Sequence, residues 1–294
     1  MDAIRTPDEV LQGLPDFPYE PHYRQVDELR LAHIDEGDGP PVVMFHGEPT
    51  WSFLWRKVLP PVRDAGYRVI CPDQVGFGRS DKPTERDDFS YARHVEWVRA
   101  LVLDELALEE ITFFGQDWGG LIGLRLVAEH PDRFARVAIG NTGLPTGHEP
   151  MSEAFLAWQQ FSQTTPDFDL GAIISMGVVT MPPPEVVAAY NAPFPDDSYK
   201  AGARIFPTLV PTSPDDPASE ANVAARKVLA AWEKPFLTLF SDSDPITGGA
   251  EHWFQENVPG AAGQPHTTIA GGGHFLQEDQ GPLLGAAIAD WLAA

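Results

Sequence analysis

The sequence has one cysteine, no long apolar run and no apolar segment near its beginning. Cys71 has no partner for an internal disulfide, and its place in the apolar run Arg68–Pro72 predicts a small buried residue. No run of eighteen apolar residues occurs, so we expect no transmembrane helix and no membrane partner. Residues 1–9 contain no signal core, so we expect no secretion by that route. Together these absences predict a cytoplasmic protein.

Basic residues are also scarce. The 294 residues include 20 Lys and Arg against 43 Asp and Glu, which gives a formal net charge of −23. A surface this acidic repels phosphate backbones, so we expect no nucleic-acid partner. The charge favours solubility. Hydrophobic residues make up 43% of the chain, which is enough for a large core.

The stretch Gly115–Gly120, Gly-Gln-Asp-Trp-Gly-Gly, organises the rest of the chain. It follows the apolar run Ile111–Phe114, which predicts a strand, and precedes Leu121–Ala128, which predicts a helix. A strand, a sharp turn and a helix, with small residues around one reactive side chain, form the nucleophile elbow G-x-S-x-G of α/β-hydrolases. The central residue here is Asp117 instead of serine.

Strand and helix patterns alternate on both sides of this elbow. Apolar runs predict a hairpin within residues 22–38 and strands at 42–45, 68–72, 111–114, 136–141, 236–240 and 266–269. Helices are predicted between most of these strands, including residues 52–65, where Pro60 and Pro61 should kink or split the helix. The alternation predicts an α/β protein with the α/β-hydrolase fold: a mostly parallel eight-stranded sheet with helices on both faces.

Residues 145–220 have a different character, with many prolines and aromatics and no clear strand. Within them, Glu153–Phe161 and Glu185–Tyr190 show helical patterns. Disordered segments are poor in aromatic residues, so this composition argues against a disordered insertion. We therefore expect a helical cap domain at 145–220, inserted after the sixth strand into a core domain formed by 1–144 and 221–294.

Three predicted strand ends carry Asp117, Asp244 and His274, in the order nucleophile, acid, histidine of α/β-hydrolases. They should meet at the carboxyl edge of the sheet, where such folds build their sites. Asp242 is a competing candidate for the acid. Asp244 is preferred because it precedes a proline and because the stretch of sequence between it and His274 is long enough for a helix and a strand. Asn141, at another strand end that can carry the acid, is an amide and supplies no charge.

An aspartate nucleophile predicts alkyl substrates. The carboxylate is ionised at neutral pH, and displacement at a saturated carbon gives an ester that water can cleave, whereas serine would give an ether. In this scheme His274 activates water and Asp244 stabilises the imidazole. The backbone N–H groups of Trp118 and Glu48 are the expected oxyanion donors.

A departing halide needs donors as well. Indole N–H groups donate without accepting, and they act best in a dry pocket. Trp118 follows the nucleophile and Trp158 lies in the predicted cap, so both are candidate halide ligands, with packing in the fold as the alternative for each.

The sequence resembles haloalkane dehalogenases over nearly the whole chain. The resemblance rests on His46–Trp51, Gly115–Gly120, Tyr190–Pro195, Phe206–Pro207 and Gly273–Glu278, together with Gly202. It implies the subfamily with an Asp-His-Asp triad and two tryptophan halide ligands, which at matching positions are Trp118 and Trp158. It implies a haloalkane substrate, water and halide as partners, with a primary alcohol as product. It also implies no organic cofactor and no metal, and we expect a monomer.

Epoxide hydrolases are the nearest alternative, because their fold, elbow and triad are similar. That family uses two cap tyrosines as acidic donors, and Tyr190 and Tyr199 keep the option open here. A fluoroacetate-type dehalogenase fits less well, because its elbow resembles Asp-Arg and Trp118 stands at that place. A non-catalytic binding module usually lacks a member of the triad, and all three are present.

Overall fold

A computed structural model describes residues 1–294 and contains a central eight-stranded sheet. The strands are β1 (His22–Val26), β2 (Leu29–Glu36), β3 (Pro41–Phe45), β4 (Arg68–Pro72), β5 (Ile111–Gln116), β6 (Phe134–Gly140), β7 (Phe236–Ser241) and β8 (Thr267–Ile269). Their order across the sheet is β1-β2-β4-β3-β5-β6-β7-β8. The short strands Ala3–Ile4 and Lys82–Pro83 pair separately from this sheet.

The sheet is parallel except at one side. β1 pairs antiparallel with β2, and β2 pairs antiparallel with β4, whereas every other neighbouring pair is parallel. All residues of β5 and β7 are buried, so both faces of the sheet are covered there. The predicted mostly parallel eight-stranded sheet is confirmed. Since β3 to β8 run in one direction, their carboxyl ends share one edge.

Ten α-helices surround the sheet. They are α1 (Leu59–Asp64), α2 (Tyr91–Arg99), α3 (Trp118–Glu129), α4 (Glu153–Thr164), α5 (Leu170–Met176), α6 (Pro184–Asn191), α7 (Ala201–Ile205), α8 (Ser219–Leu229), α9 (Glu251–Asn257) and α10 (Leu276–Ala293). A π-helical turn, Ala100–Glu105, continues α2. No helix has the length and apolar character needed to cross a membrane.

The helix predicted over residues 52–65 is divided in two. A 3₁₀ helix covers Ser52–Lys57, and α1 begins only at Leu59. Pro60 and Pro61 stand in the first turn of α1, where a missing N–H costs no hydrogen bond. The prolines therefore mark the start of a new helix, which agrees with the predicted split of residues 52–65.

Residues 145–220, which we call the cap segment, contain α4 to α7 and no strand. Phe168, Tyr190 and Phe206 of this segment are fully buried in the same hydrophobic cluster as the strands. The aromatic residues that argued against disorder thus pack into the main core. The division into a core domain and a cap domain stays a prediction.

A buried ion pair connects the 3₁₀ helix Ser52–Lys57 to the start of α10, and Tyr190 of the cap segment contacts the pair. Two guanidinium nitrogens of Arg56 lie 2.7 Å from the two carboxylate oxygens of Glu278, and both side chains are almost fully buried. The Lys57 ammonium lies 2.7 Å from the same carboxylate, and the Tyr190 hydroxyl donates to it at 2.8 Å. This bidentate pair, together with the contacts from Lys57 and Tyr190, fixes three segments relative to one another.

Removing the arginine from this pair should destabilise the fold strongly. We expect Arg56→Met to lower the free energy of unfolding by about 3 kcal/mol, because Glu278 would keep a buried charge with fewer partners. Urea unfolding followed by tryptophan fluorescence measures the change. The control Arg63→Met removes a solvent-exposed pair with Asp64 and should cost less than about 1 kcal/mol. Equal losses in the two variants would contradict the structural role of the buried pair.

Candidate active site

The turn between β5 and α3 holds Asp117 in a strained conformation. Its φ is +51°, in the left-handed region that non-glycine residues rarely adopt. The Asp117 N–H donates to the Asn141 carbonyl at 2.9 Å, and the Thr142 hydroxyl donates to the Asp117 carbonyl at 2.7 Å. Contacts from the end of β6 therefore fix the backbone that presents this carboxylate.

Glycines next to the turn allow close packing. A Cβ atom at Gly119 would overlap the carbonyl of Phe45, and one at Gly120 would overlap the side chain of Thr142. The first turn of α3 thus lies directly against the ends of β3 and β6. This close contact between helix and strands explains why the elbow motif contains small residues.

The three predicted strand-end residues form one hydrogen-bonded chain. His274 Nδ1 lies 3.0 Å from Asp244 Oδ2, and His274 Nε2 lies 3.4 Å from Asp117 Oδ2. Asp244 also accepts the backbone N–H of Ile246 at 2.9 Å and a hydrogen bond from the Thr247 hydroxyl. The imidazole is therefore held between two carboxylates.

This arrangement shifts two of the three ionisation equilibria. Burial opposes the charged imidazole, but the charge of Asp244 and the hydrogen bonds with both carboxylates outweigh it and raise the pKa of His274 to about 10. Burial also opposes the charged form of Asp244, but His274 and the donors around that carboxylate lower its pKa to about 2. The free site thus favours a protonated histidine beside an ionised Asp244.

The two backbone N–H groups expected as oxyanion donors lie next to Asp117 in different ways. The Glu48 N–H donates to Asp117 Oδ1 at 2.8 Å. Trp118 is the first residue of α3, where backbone N–H groups have no acceptor within the helix. The Glu48 side chain is buried, and its Oε1 has no hydrogen-bond partner. Burial, reinforced by the charge of Asp117, raises the pKa of Glu48 well above its usual range, which favours the uncharged form of this side chain.

Two amides that support His274 were not predicted as site residues. The Gln116 side chain donates to the His274 carbonyl at 3.1 Å, and its nitrogen lies 3.3 Å from His274 Nε2. Asn141 donates to the carbonyls of Gly273 and His274 at 2.8 and 3.0 Å and accepts the Ser241 N–H at 2.9 Å. Their positions at strand ends were the only signal in the sequence.

A cavity of about 500 Å³ opens over Asp117. It is lined by Glu48, Trp118, Trp158 and His274, together with mainly apolar side chains. Trp118 packs against Tyr91 and Phe206, and Trp158 of α4 stacks on Phe168 with 6.1 Å between ring centroids. A concave, mostly apolar site with a few polar groups suits a small apolar ligand.

The structure separates the competing candidates. Asp242 is exposed and accepts the Gly271 N–H at 3.0 Å, whereas Asp244 faces the histidine. Tyr190 donates to Glu278 in the core, and neither Tyr190 nor Tyr199 lines the cavity. The pair of cap tyrosines that an epoxide hydrolase would need is therefore absent from this site.

Comparisons with known proteins identify the fold and the family. A family model described as the alpha/beta hydrolase fold matches residues 40–280. The haloalkane dehalogenase of Psychrobacter cryohalolentis is 57% identical, covering 99% of this chain and 98% of the relative. The haloalkane dehalogenase of Mycobacterium marinum is 51% identical, covering 99% and 100%.

A solved structure agrees as well. The tetrameric haloalkane dehalogenase DpaA from Paraglaciecola agarilytica NO2 has a TM-score of 0.90 and 34% identity, with 100% of this chain and 99% of that chain covered. The predicted fold and enzyme class are therefore confirmed. The chain belongs to the haloalkane dehalogenases, hydrolases of the α/β-hydrolase fold that cleave carbon–halogen bonds.

Proposed function

We propose that Asp117 is the nucleophile of this dehalogenase and forms an alkyl ester with the substrate. The observation that carries the proposal is the position of its two oxygens. Oδ1 accepts the Glu48 N–H at 2.8 Å, whereas Oδ2 lies 3.4 Å from His274 Nε2 beside the cavity. One oxygen is thus placed to become the ester carbonyl and the other to attack.

The first step is a displacement at saturated carbon. Asp117 Oδ2 donates an electron pair to the carbon atom, and the carbon–halogen bond breaks as the halide leaves with its electrons. The indole N–H groups of Trp118 and Trp158 hold the halide, because both line the cavity and neither finds a hydrogen-bond acceptor in the protein. The dry, apolar lining strengthens these hydrogen bonds.

The second step hydrolyses the ester. His274 Nε2 takes a proton from water, and the water oxygen attacks Cγ of Asp117. The oxyanion on Oδ1 is stabilised by the backbone N–H groups of Glu48 and Trp118. The tetrahedral intermediate then collapses as the bond between Cγ and Oδ2 breaks; Oδ2 leaves as the alkoxide oxygen, and the alkoxide takes the proton from His274. The products are the alcohol and a carboxylic acid on Asp117, which releases the second proton of the water to solvent and becomes a carboxylate again.

Ester formation also prepares the histidine. In the free site, the charge of Asp117 helps raise the pKa of His274 to about 10. Esterification removes that charge, so the pKa of His274 falls and the neutral imidazole becomes available as a base. Asp244 remains ionised behind the ring and stabilises the imidazolium that forms when water is deprotonated.

The lining of the cavity defines the class of substrate. It contains one further ion pair, Glu149 with Arg226, whose charges neutralise each other, and otherwise few polar groups. We propose small, apolar haloalkanes as substrates, with the cap segment closing the site above the sheet edge. The monomeric state and the cytoplasmic location stay predictions.

Replacing the base should trap the intermediate. With 1-bromobutane, we expect His274→Phe to form the ester and to hydrolyse it too slowly to turn over, because no group remains to deprotonate water. Mass spectrometry should show a gain of one butyl group on the peptide that contains Asp117. His252→Phe, at an exposed position outside the cavity, should turn over normally. Unmodified His274→Phe enzyme after incubation would contradict the two-step scheme.

Replacing the cap tryptophan should weaken halide binding. We expect Trp158→Phe to bind bromide about tenfold less tightly, because one hydrogen bond to an anion is lost while the aromatic packing is kept. Fluorescence quenching titrated with bromide measures the dissociation constant. Trp291→Phe is the control, since that indole donates to Gln264 outside the cavity. An unchanged constant in Trp158→Phe would assign the halide ligand to another residue.

A further inference from the structure

Asp279, in the first turn of α10, connects the loop of His274 to the cap segment. Its Oδ2 accepts the N–H of Gly273, the residue before the histidine, at 2.9 Å. The same carboxylate accepts the N–H of Val179 at 2.9 Å and the N–H of Thr180 at 2.8 Å. Three backbone donors from two distant parts of the chain thus converge on one half-buried carboxylate.

The two connected segments also touch directly. The Phe275 N–H donates to the Gly177 carbonyl at 3.1 Å. A Cβ atom at Gly273 would lie 2.6 Å from that carbonyl oxygen, and one at Gly177 would lie 2.6 Å from the ring of Phe275. Gly177, Val178 and Val179 line the cavity on one side of this contact, and Gly273 and Phe275 line it on the other. The contact is therefore part of the wall of the active site.

We propose that Asp279 is a positioning residue for ester hydrolysis, which fixes the loop of His274 against residues 177–180 of the cap segment. The inference rests on the proposed role of His274 as the base. Asp117 is held by separate contacts, from Glu48, Asn141 and Thr142. Asp279 therefore acts on the second step of the reaction and leaves the first step unaffected.

The geometry requires a carboxylate at this position. Both oxygens accept hydrogen bonds: Oδ1 from Thr180, Oδ2 from Gly273, and the Val179 N–H is shared between Oδ1 at 3.1 Å and Oδ2 at 2.9 Å. An asparagine has one acceptor oxygen, and its NH₂ group would face a backbone N–H on the other side. Asp279→Asn therefore keeps the size of the side chain but loses the hydrogen bond from either Gly273 of the histidine loop or Thr180 of the cap segment.

Two variants test the role from opposite sides. Asp279→Asn removes one hydrogen-bond acceptor. Gly177→Ala adds a methyl group that pushes the cap segment away from the ring of Phe275. Alanine can adopt the backbone conformation of Gly177, which has a φ of −97° and a ψ of 10°. Rapid-quench single turnovers with 1-bromobutane measure bromide release as the first step and butanol formation as the second. We expect hydrolysis to slow about tenfold in each variant, because small misplacements of a catalytic base are costly. Bromide release should stay within about twofold of wild type.

The control is Asp290→Asn, which removes the same charge from an exposed position on the same helix. It should leave both rates unchanged. The proposal is overturned if hydrolysis keeps its wild-type rate in both variants, or if both steps slow together, as a general loss of structure would cause. Failure of the two-step scheme itself is detected by a different experiment, the mass spectrometry of His274→Phe. If Asp117 is not alkylated in that variant, the basis of this proposal is removed as well.

Discussion

The strained turn at Asp117 is the constraint on which the rest of the site depends. A carboxylate can attack a substrate carbon only if it projects from the sheet edge into the cavity, and the φ of +51° gives the chain that direction. Strain of this kind persists only when several surrounding contacts hold the backbone in place. Here they do so through the carbonyl of Asn141, the hydroxyl of Thr142 and the close packing of Gly119 on β3.

The charges around this turn act as one coupled system. Two carboxylates hold one imidazole, so the charge of each group depends on the state of the others. In the proposed mechanism, conversion of Asp117 to an ester removes one charge from the chain, and that loss lowers the proton affinity of His274 at the stage when a base is required. Burial and the charge of Asp117 raise the pKa of Glu48 next to this chain, which disfavours a further negative charge there.

The sequence predicted the elements whose signals are local and missed contacts between distant segments. Apolar runs located the strands, and the order of Asp117, Asp244 and His274 at strand ends identified the residues that meet. The roles of Gln116, Asn141 and Asp279 depend on hydrogen bonds to backbone groups far away in sequence, and no pattern of residue types reveals such partners. For residues 52–65, two prolines predicted a break, but only the packed chain shows that it falls at Val58.

The central claim is that the carboxylate of Asp117 forms and then loses a covalent bond to the substrate carbon. A single turnover of 1-bromobutane in ¹⁸O-labelled water tests it most directly, with mass analysis of both the alcohol and the peptide containing Asp117. The account predicts that the label enters the carboxylate, because water attacks Cγ, and that the alcohol keeps an unlabelled oxygen from Asp117. A labelled alcohol together with an unlabelled carboxylate would show direct attack of water on the substrate and would contradict the account.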